Sequence, residues 1–202
     1  MPEEIVVIGG GGHAEVVIDC IECAGDKVLG ILDDGLEKGS TVLGIPVLGK
    51  IPEYIRHTDR KFMIAIGSND VRRRIAESMS VQWYTAVHPR AVISRYARIG
   101  EGSVVMANAV VNAGTVIGKH SIFNTAAIAE HDNRIGDYVH LSPNVSLGGT
   151  VVVGDGVHIG IGAVVKNNIS ICAGCTIGAG AVVVKNIGES GVYIGVPSKK
   201  LK

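Results

Sequence analysis

An apolar residue at every sixth position between Val87 and Val183 is the feature that most constrains the fold. The residue two places earlier is mostly small or β-branched, and glycine follows the apolar position in every third repeat from Gly100 to Gly154. A six-residue repeat with a superperiod of three repeats is typical of a parallel β-helix, in which three short strands form one triangular coil. The 17 apolar positions predict between five and six coils with these side chains along the axis. They are Val87, Ile93, Ile99, Val105, Val111, Ile117, Phe123, Ala129, Ile135, Leu141, Leu147, Val153, Ile159, Val165, Ile171, Ile177 and Val183.

The segment before the repeat, residues 1–84, follows another pattern, in which short apolar runs alternate with amphipathic stretches. Strands separated by helices indicate a parallel sheet with right-handed crossovers. We therefore predict an α/β domain with a small parallel sheet over residues 1–84, and a β-helix domain with a C-terminal tail over residues 85–202. The predicted strands are Ile5–Ile8, Val28–Leu32 and Phe62–Ile66, the predicted helices are His13–Ala24 and Asp70–Met79, and GIPVLG is assigned to a loop. The first helix is expected to bury Val16, Val17, Cys20 and Ile21.

A glycine-rich loop follows the first predicted strand. In the stretch IVVIGGGGHAEVV, Gly9, Gly11 and Ala14 have the spacing G-x-G-x-x-A, a variant of the dinucleotide fingerprint. Such a loop lets the backbone approach a phosphate while the following helix presents free N–H groups. Asp33, at the end of the second strand, is positioned to accept a hydrogen bond from a ribose or a base. The pattern predicts a bound phosphate-sized anion, and a tight turn without a ligand is the alternative.

The repeat is interrupted most sharply in NTAAIAEHDNRIG, residues 124–136. Here the axial residue shrinks to Ala129, and Glu130, His131 and Asp132 follow one another at an outward corner. A histidine beside a carboxylate can be held in one tautomer and can act as a general base near neutral pH. A solvated corner with incidental charges is the alternative.

Two further histidines are related by the repeat. His140 and His158 are separated by three repeats and should stack on successive coils, where they could bridge a metal as in carbonic anhydrases built on a hexapeptide β-helix. Those enzymes need three histidines that meet across a subunit boundary. His120 and His131 are available but lack the close spacing, so a His140 that faces a bound thioester is the preferred interpretation.

Four cysteines form two C-x-x-C pairs, Cys20/Cys23 and Cys172/Cys175. The first pair lies in the predicted helix. In the second pair, Cys172 follows an axial residue and should face outward, whereas Cys175 belongs to the small inward column. Because the two side chains should then point to opposite sides of the wall, we expect neither a shared metal nor a disulfide.

The composition argues against some classes of partner. The 19 basic and 19 acidic side chains balance, and no Lys/Arg cluster stands beside aromatic residues as a nucleic-acid groove requires. The N-terminus lacks the pattern of a signal peptide, and no apolar run approaches the roughly 18 residues of a membrane span. We expect no nucleic-acid partner, no membrane insertion and a cytoplasmic location.

The whole chain resembles the bacterial family of nucleotide-amino-sugar N-acetyltransferases and sialic-acid O-acetyltransferases, which are hexapeptide-repeat acyltransferases. The resemblance covers essentially all 202 residues. It implies a left-handed parallel β-helix, a homotrimer, a nucleotide sugar held by a Rossmann-like N-terminal domain, and acetyl-CoA as co-substrate between neighbouring β-helices, with no metal. The matching stretches are IGGGGHAEVV, ILDD, AIGSND, HPRAVIS, NTAAIAEHDNRIGDYVHLSPN, IGIGAVV, IGAGAVVVKN and GVPSKK.

The resemblance also implies roles for individual residues. His131 would be the general base, and Asp132 the carboxylate that raises its basicity. Some family members have a glutamate at this position, so the sequence leaves open whether the shorter Asp132 reaches His131. The residues implied to hold the nucleotide sugar are Gly11, Gly12, His13, Asp33, Asp34 and Gly67, and those implied to contact acetyl-CoA are His140, Ile161 and Ala179.

The implied reaction transfers acetyl from acetyl-CoA to the amino group of a UDP-type 4-amino-deoxy sugar, for synthesis of a surface glycan. The amine attacks the thioester directly while a histidine accepts its proton. Three other functions stay open: an O-acetyltransferase for a sialic-acid-type sugar, a metal-dependent carbonic anhydrase, and a non-catalytic scaffold.

Overall fold

The computed structural model describes residues 2–201, which form an α/β half followed by a parallel β-helix. The α/β half contains a six-stranded sheet in the order β3-β4-β2-β1-β5-β6. All its pairs are parallel except β3 with β4. Its elements are β1 Glu4–Ile8, α1 Gly12–Cys23, β2 Lys27–Leu32, β3 Thr41–Val42, β4 Ile45–Gly49, a 3-10 helix Ile51–Arg56, β5 Lys61–Ile64, α2 Asn69–Ser78 and β6 Gln82–Trp83.

The parallel sheet is confirmed, with two local corrections. GIPVLG is not a loop: Ile45–Gly49 is β4, which pairs with β2 and buries Val47. Pro46 and Gly49 lower the strand propensity of this segment and mask its alternation of buried and exposed residues. The other correction concerns α1, where Val16 is 44% exposed and Ile18 is buried in its place.

The β-helix consists of three parallel faces, and each strand pairs with the equivalent strand of the next coil, as in the row Val104–Ile122–His140–His158. The hexapeptide prediction is therefore confirmed. From Val105 to Val183 every axial side chain is at most 3% exposed, whereas the first three are half-buried because no coil covers them. Face 1 contains β7 Ala86–Val87, β10 Val104–Val105, β13 Ile122–Phe123, β16 His140–Leu141, β19 His158–Ile159 and β22 Thr176–Ile177.

The other two faces are built in the same way from two-residue strands. Face 2 contains β8 Val92–Ile93, β11 Val110–Val111, β14 Ile128–Ala129, β17 Ser146–Leu147, β20 Val164–Val165 and β23 Val182–Val183. Face 3 contains β9 Arg98–Ile99, β12 Val116–Ile117, β15 Arg134–Ile135, β18 Val152–Val153 and β21 Ser170–Ile171. The chain ends in β24 Val192–Ile194, which pairs with β22, and β25 Lys199–Lys200, which returns antiparallel along β24.

The α/β half packs on face 1. Arg72 of α2 is 1% exposed, and its guanidinium donates to the carbonyl oxygens of His120 (2.6 Å) and Tyr138 (3.1 Å) in the β-helix. The same group donates to the carbonyls of Ile66 (2.9 Å) and Gly67 (3.3 Å). One buried cation thus fixes the loop before α2 against the β-helix. The division of the chain into domains of residues 1–84 and 85–202 stays a prediction.

The second cysteine pair differs from the sequence analysis. Cys175 is 1% exposed, as expected for the inward column. Cys172, however, is only half-buried and packs against the core, with its sulfur 3.5 Å from that of Cys175. The prediction that the two thiols face opposite sides was wrong, because residues 172–175 form a turn that brings both side chains to one corner.

Within residues 2–201 there is no helix of the length and apolar character that a membrane crossing requires.

Candidate active site

His131 and Asp132 lie in the turn between β14 of face 2 and β15 of face 3. His131 Nδ1 is 2.9 Å from Asp132 Oδ2, so the shorter carboxylate does reach the ring. The two side chains are 61% and 65% exposed. Asp132 has a left-handed backbone with φ of +59°, a conformation that aspartate tolerates better than most residues. With Nδ1 donating to the carboxylate, Nε2 is left as the acceptor of the ring.

A buried asparagine anchors this turn to its neighbours. Asn133 is fully buried; its side-chain amide donates to the carbonyl of Glu130 (2.5 Å) and accepts from the backbone N–H of Val151 (2.8 Å). The hydroxyl of Thr115 donates to the same Glu130 carbonyl at 2.7 Å. The sequence analysis missed this residue, although a polar Asn in an otherwise small, inward column was the signal.

Two glycines leave room for the pair. A Cβ at Gly149, one coil further along, would lie 2.5 Å from His131 Nε2, and a Cβ at Gly114, one coil earlier, would lie 2.2 Å from Asp132 Oδ1. Real Cβ atoms do not approach other atoms this closely. Any residue larger than glycine at position 114 or 149 would therefore fill the space that the side chains of His131 and Asp132 occupy. The sequence analysis did not single out these glycines.

The predicted phosphate site lies at the start of α1. Gly11 is the N-cap of this helix and contributes no side-chain cap, so the first N–H groups of the helix are open to an anion. A Cβ built on Gly11 or Gly12 meets nothing within 4 Å, so space for a ligand lies beside the backbone. Both features fit a phosphate group.

The two predicted aspartates order the neighbouring loops. Asp33 accepts hydrogen bonds from the backbone N–H groups of Gly10 (2.8 Å), Gly35 (2.7 Å) and Leu36 (3.0 Å). Asp34 accepts from the N–H of Ile51 at 3.0 Å. These bonds fix the loops around a largely apolar cavity of about 590 Å³. Its lining includes Asp33, Asp34, Ile51, Pro52, Ile66 and Arg74.

Three of the predicted ligand residues meet where the α/β half contacts face 1. His140 places Nδ1 3.3 Å from the carbonyl of Gly67 and Nε2 3.3 Å from the side-chain amide of Asn124. Its ring lies 6.0 Å from that of His13, whose buried Nε2 has no hydrogen-bond partner among residues 2–201. Burial is the largest cause that lowers the pKa of His140 to about 3 and that of His13 to about 4. Both imidazoles are therefore neutral at pH 7.

In the described part of the chain, residues 2–201, no third histidine joins the stacked pair to form a three-histidine metal site. His140 and His158 stack at 4.8 Å, as predicted, but His158 Nε2 lies 3.0 Å from the hydroxyl of Ser142. His120 packs between Trp83 and Tyr138 at another corner, and His131 lies across the prism. That this protein needs no metal stays a prediction.

The remaining predicted residues line one corner. Ile161 and Ala179 occupy equivalent positions of successive coils in the turns from face 1 to face 2, and the N–H of Gly180 donates to the carbonyl of Ile161 at 2.8 Å. Both side chains are exposed, and Ile161 is 53% exposed. An exposed apolar side chain beside a glycine-rich turn offers a surface for an aliphatic ligand chain.

The predicted site residues thus fall into three groups. The nucleotide-sugar residues and His140 lie on the side of face 1, Ile161 and Ala179 lie at the corner between faces 1 and 2, and His131 with Asp132 lies at the corner between faces 2 and 3. In a triangular prism that last corner is opposite face 1. One chain therefore does not bring the predicted base to the predicted nucleotide-sugar site.

Comparison with known proteins gives the family. The sequence of residues 4–79 matches the protein-family model described as the PglD N-terminal domain. The GDP-perosamine N-acetyltransferase of Escherichia coli O157:H7 is 32% identical over 161 residues, which are 73% of this chain and 71% of that protein. The UDP-N-acetylbacillosamine N-acetyltransferase of Bacillus subtilis (strain 168) is 38% identical over 112 residues, which are 52% of each protein.

Solved structures agree over nearly the whole chain. PerB from Caulobacter crescentus, in complex with CoA and GDP-perosamine, is 39% identical with a TM-score of 0.92, covering 98% of this chain and 97% of that one. The acetyltransferase domain of PglB from Neisseria gonorrhoeae FA1090, in complex with acetyl coenzyme A, is 36% identical with a TM-score of 0.92 and covers 100% of both chains. The fold and these relatives together place the chain in the class of hexapeptide-repeat acyltransferases. Within that class, the chain belongs to the family of nucleotide-amino-sugar N-acetyltransferases, as the sequence resemblance implied.

Proposed function

We propose that this protein transfers the acetyl group of acetyl-CoA to the 4-amino group of a UDP-linked 4-amino-deoxy sugar, in the synthesis of a surface glycan. The observation that carries the chemistry is the contact between His131 and Asp132, with Nε2 of the histidine free to accept a proton. The relatives that act on GDP-perosamine and UDP-N-acetylbacillosamine support an amino sugar linked to a nucleotide. The complexes of relatives with CoA and acetyl coenzyme A support the donor.

In the proposed mechanism the sugar amine attacks the thioester carbonyl. The C–N bond forms, the C–S bond breaks, and CoA leaves as a thiolate, which becomes the thiol when the imidazolium of His131 passes on the proton it took from the amine. His131 Nε2 takes the proton that the amine loses, while Asp132 holds the opposite ring nitrogen and stabilises the imidazolium that forms. An amine is nucleophilic enough to attack a thioester once it is positioned, so no serine or cysteine nucleophile is required.

The nucleotide sugar is proposed to bind at the α/β half. Its pyrophosphate would lie on the free N–H groups at Gly11, Gly12 and His13, and its nucleoside would enter the cavity beside Asp33 and Asp34. Gly67 and the neutral imidazole of His13 would then face the sugar. Because the Asp33 carboxylate already accepts three backbone N–H groups, we assign it mainly to loop order and leave one of its lone pairs to the ligand.

The site is proposed to be completed by a second copy of the chain. His131 lies at the corner opposite face 1, so a sugar at the α/β half of the same chain would lie on the other side of the β-helix from the base. A homotrimer with cyclic symmetry would place the His131 corner of one β-helix beside the α/β half of its neighbour. Acetyl-CoA would lie in the groove between them, against Ile161 and Ala179, with His140 close to its thioester end.

The test measures CoA thiol release from acetyl-CoA with a panel of acceptors: UDP- and GDP-linked 4-amino-deoxy sugars, their 4-hydroxyl counterparts and a sialic acid. We expect release with the amino sugars, and faster release with the UDP-linked one. Replacement of His131 by Ala should lower turnover by about 10²–10⁴-fold, as expected for loss of a general base.

The control is His57→Ala, which removes a half-buried histidine that belongs to none of the three groups of site residues. Its turnover should match that of the wild type. Acetylation of only hydroxyl acceptors would replace this proposal with an O-acetyltransferase. Near-normal turnover of His131→Ala would remove His131 from the mechanism.

A further inference from the structure

Two thiols are in contact in the last full coil of the β-helix. Cys172 and Cys175 flank the turn between β21 and β22, and their sulfur atoms are 3.5 Å apart. Neither forms a disulfide, and neither belongs to the groups of residues assigned to the acetyl transfer. The thiol of Cys175 also donates to the carbonyl of Glu189 in the segment that covers this coil, at 3.6 Å.

The backbone around the pair suits a covalent link. Residues 172–175 form a four-residue turn in which Gly174 supplies a φ of +68°. The ends of a β-turn lie less than about 7 Å apart between Cα atoms, and a disulfide needs about 4.4–6.8 Å. Because the S–S bond is about 2.05 Å long, the two sulfurs have to approach each other by only about 1.5 Å from their present positions. Rotation of two side chains provides such a movement without a change of the strands.

The two sulfurs differ in access. Cys172 is half-buried, so a small oxidant reaches it from solvent. Cys175 is 1% exposed, and burial raises the pKa of its thiol to about 11. Reaction therefore starts at Cys172, and Cys175 is held where it can attack an oxidised Cys172.

We propose that Cys172 and Cys175 form a modification site, a dithiol that a peroxide-class oxidant closes to a disulfide. The Cys172 sulfur attacks one oxygen of hydrogen peroxide; the O–O bond breaks, and a sulfenic acid and water form. The Cys175 sulfur then attacks the sulfenic sulfur, loses its proton, and displaces a second water as the S–S bond forms. The two thiols lose two electrons, and the peroxide is reduced to two waters.

The chain contains its own matched comparison. Cys20 and Cys23 have the same C-x-x-C spacing, but the sulfur of Cys20 faces the carbonyl of Val105 (3.8 Å), and that of Cys23 faces Asp19 (4.0 Å). From the C-x-x-C spacing alone, the two pairs would be expected to react in the same way. The structure distinguishes them, because only in the second pair do the sulfurs face each other.

The experiment exposes the folded full-length protein to hydrogen peroxide, removes the oxidant, alkylates free thiols in denaturant and maps peptides by mass spectrometry. We expect the peptide with Cys172 and Cys175 to lose two hydrogens, to escape alkylation and to regain both thiols with a reductant. This disulfide should form about tenfold or more faster than any disulfide between Cys20 and Cys23. Equal rates for the two pairs would overturn the proposal, as would Cys172 advancing to a sulfinic acid while Cys175 stays alkylatable.

Two variants test the order of the steps. Cys175→Ala should leave Cys172 as a sulfenic acid that a dione reagent traps; alanine occupies the same inward column at Ala163 and Ala181, so this variant is expected to fold. Cys172→Ser should leave Cys175 alkylatable after peroxide. Oxidation of Cys175 in Cys172→Ser at the wild-type rate would contradict the order and overturn the proposal.

Discussion

Nδ1 of His131 and Oδ2 of Asp132 are 2.9 Å apart, so the side chains of two residues that are adjacent in the chain form a hydrogen bond with each other. The contact is made while Asp132 holds a left-handed backbone in a turn that the buried Asn133 ties to the adjacent coil. The pair is exposed to solvent, but the turn that carries it is anchored in the core. The backbone of the turn that carries the predicted base is therefore tied to the core, although the side chain itself lies on the surface.

Replacing Asp132 by Asn should separate the charge of the carboxylate from its orienting role. Asparagine tolerates the left-handed backbone as aspartate does, and its amide oxygen can still accept from Nδ1. It cannot stabilise the imidazolium that the proposed mechanism forms on His131. We expect turnover to fall by about tenfold or more, because the charged partner of a general-base histidine stabilises the imidazolium in the transition state. Steady-state rates of CoA release measure the loss; an unchanged rate would show that the charge is not used.

Replacing Gly149 by Ala should displace the imidazole of His131. The new Cβ would lie 2.5 Å from Nε2, so the ring has to move away from its present position. A shift of about 1 Å in a catalytic group can cost about 10²-fold in rate, and we expect a loss of that size with only a small change in the thermal midpoint.

The matched control is Gly188→Ala, where a Cβ meets nothing within 4 Å and the backbone does not require glycine. It should retain wild-type turnover. If Gly149→Ala were equally active, the ring would have another productive position.

Mixed oligomers should regain activity that neither parent variant has. His131→Ala removes the proposed base, and Gly11→Asp places a carboxylate at the N-cap of α1, where it favours the helix but repels a pyrophosphate. If a site combines His131 of one chain with the α/β half of another, about a quarter of the sites in a random one-to-one mixture contain both intact parts. Co-refolding the two variants and assaying CoA release measures this recovery. No recovery, from variants that each form the wild-type oligomer, would refute the shared site.

Stability should decrease as the pH falls from about 6.5 toward 4. Burial is the main cause that lowers the pKa of His120 to about 4 and that of His140 to about 3, whereas an unfolded histidine titrates near 6.5. The folded state therefore binds fewer protons below pH 6.5, and the stability contributed by each neutral histidine is complete above that pH and lost below it. Each is expected to contribute up to about 1.4 kcal/mol per pH unit.

Urea denaturation at fixed protein concentration between pH 7 and pH 4.5 measures this slope. His120→Phe removes one titrating group and its unpartnered Nδ1 while it keeps a ring beside Tyr138. In the variant, the free energy of unfolding should depend less steeply on pH, by up to about 1.4 kcal/mol per pH unit, which corresponds to one proton. Equal slopes in both proteins would mean that His120 is not buried in its neutral form.

The sequence was sufficient for the architecture because the two halves carry long-range periodic signals. An apolar residue at every sixth position leaves few folds that can bury all of them, and strands alternating with helices specify a parallel sheet. The failures were local. β4 was hidden by Pro46 and Gly49, and the burial of Ile18 instead of Val16 depends on how α1 is rotated against the sheet.

At the site, the sequence identified residues but not their partners. His131 and Asp132 stand out because they interrupt a regular pattern. The room made by Gly149 depends on which residues lie one coil away, and the contact between Cys172 and Cys175 depends on side-chain rotation at a corner. The role of Arg72 was also invisible, because its partners are carbonyl oxygens, which every residue has.

Because each coil contains three hexapeptides, the length of the β-helix increases in equal steps of one coil. Each coil advances the chain by about 4.8 Å, the spacing of neighbouring strands, and returns every side chain to the same face. Deleting residues 146–163 as one block would therefore shorten the prism by one step and leave all axial residues on the axis, whereas deleting a single residue from any strand would turn its apolar side chain outward. Positions along this surface are thus counted in whole coils, and a groove along it can change in length without any change in its cross-section.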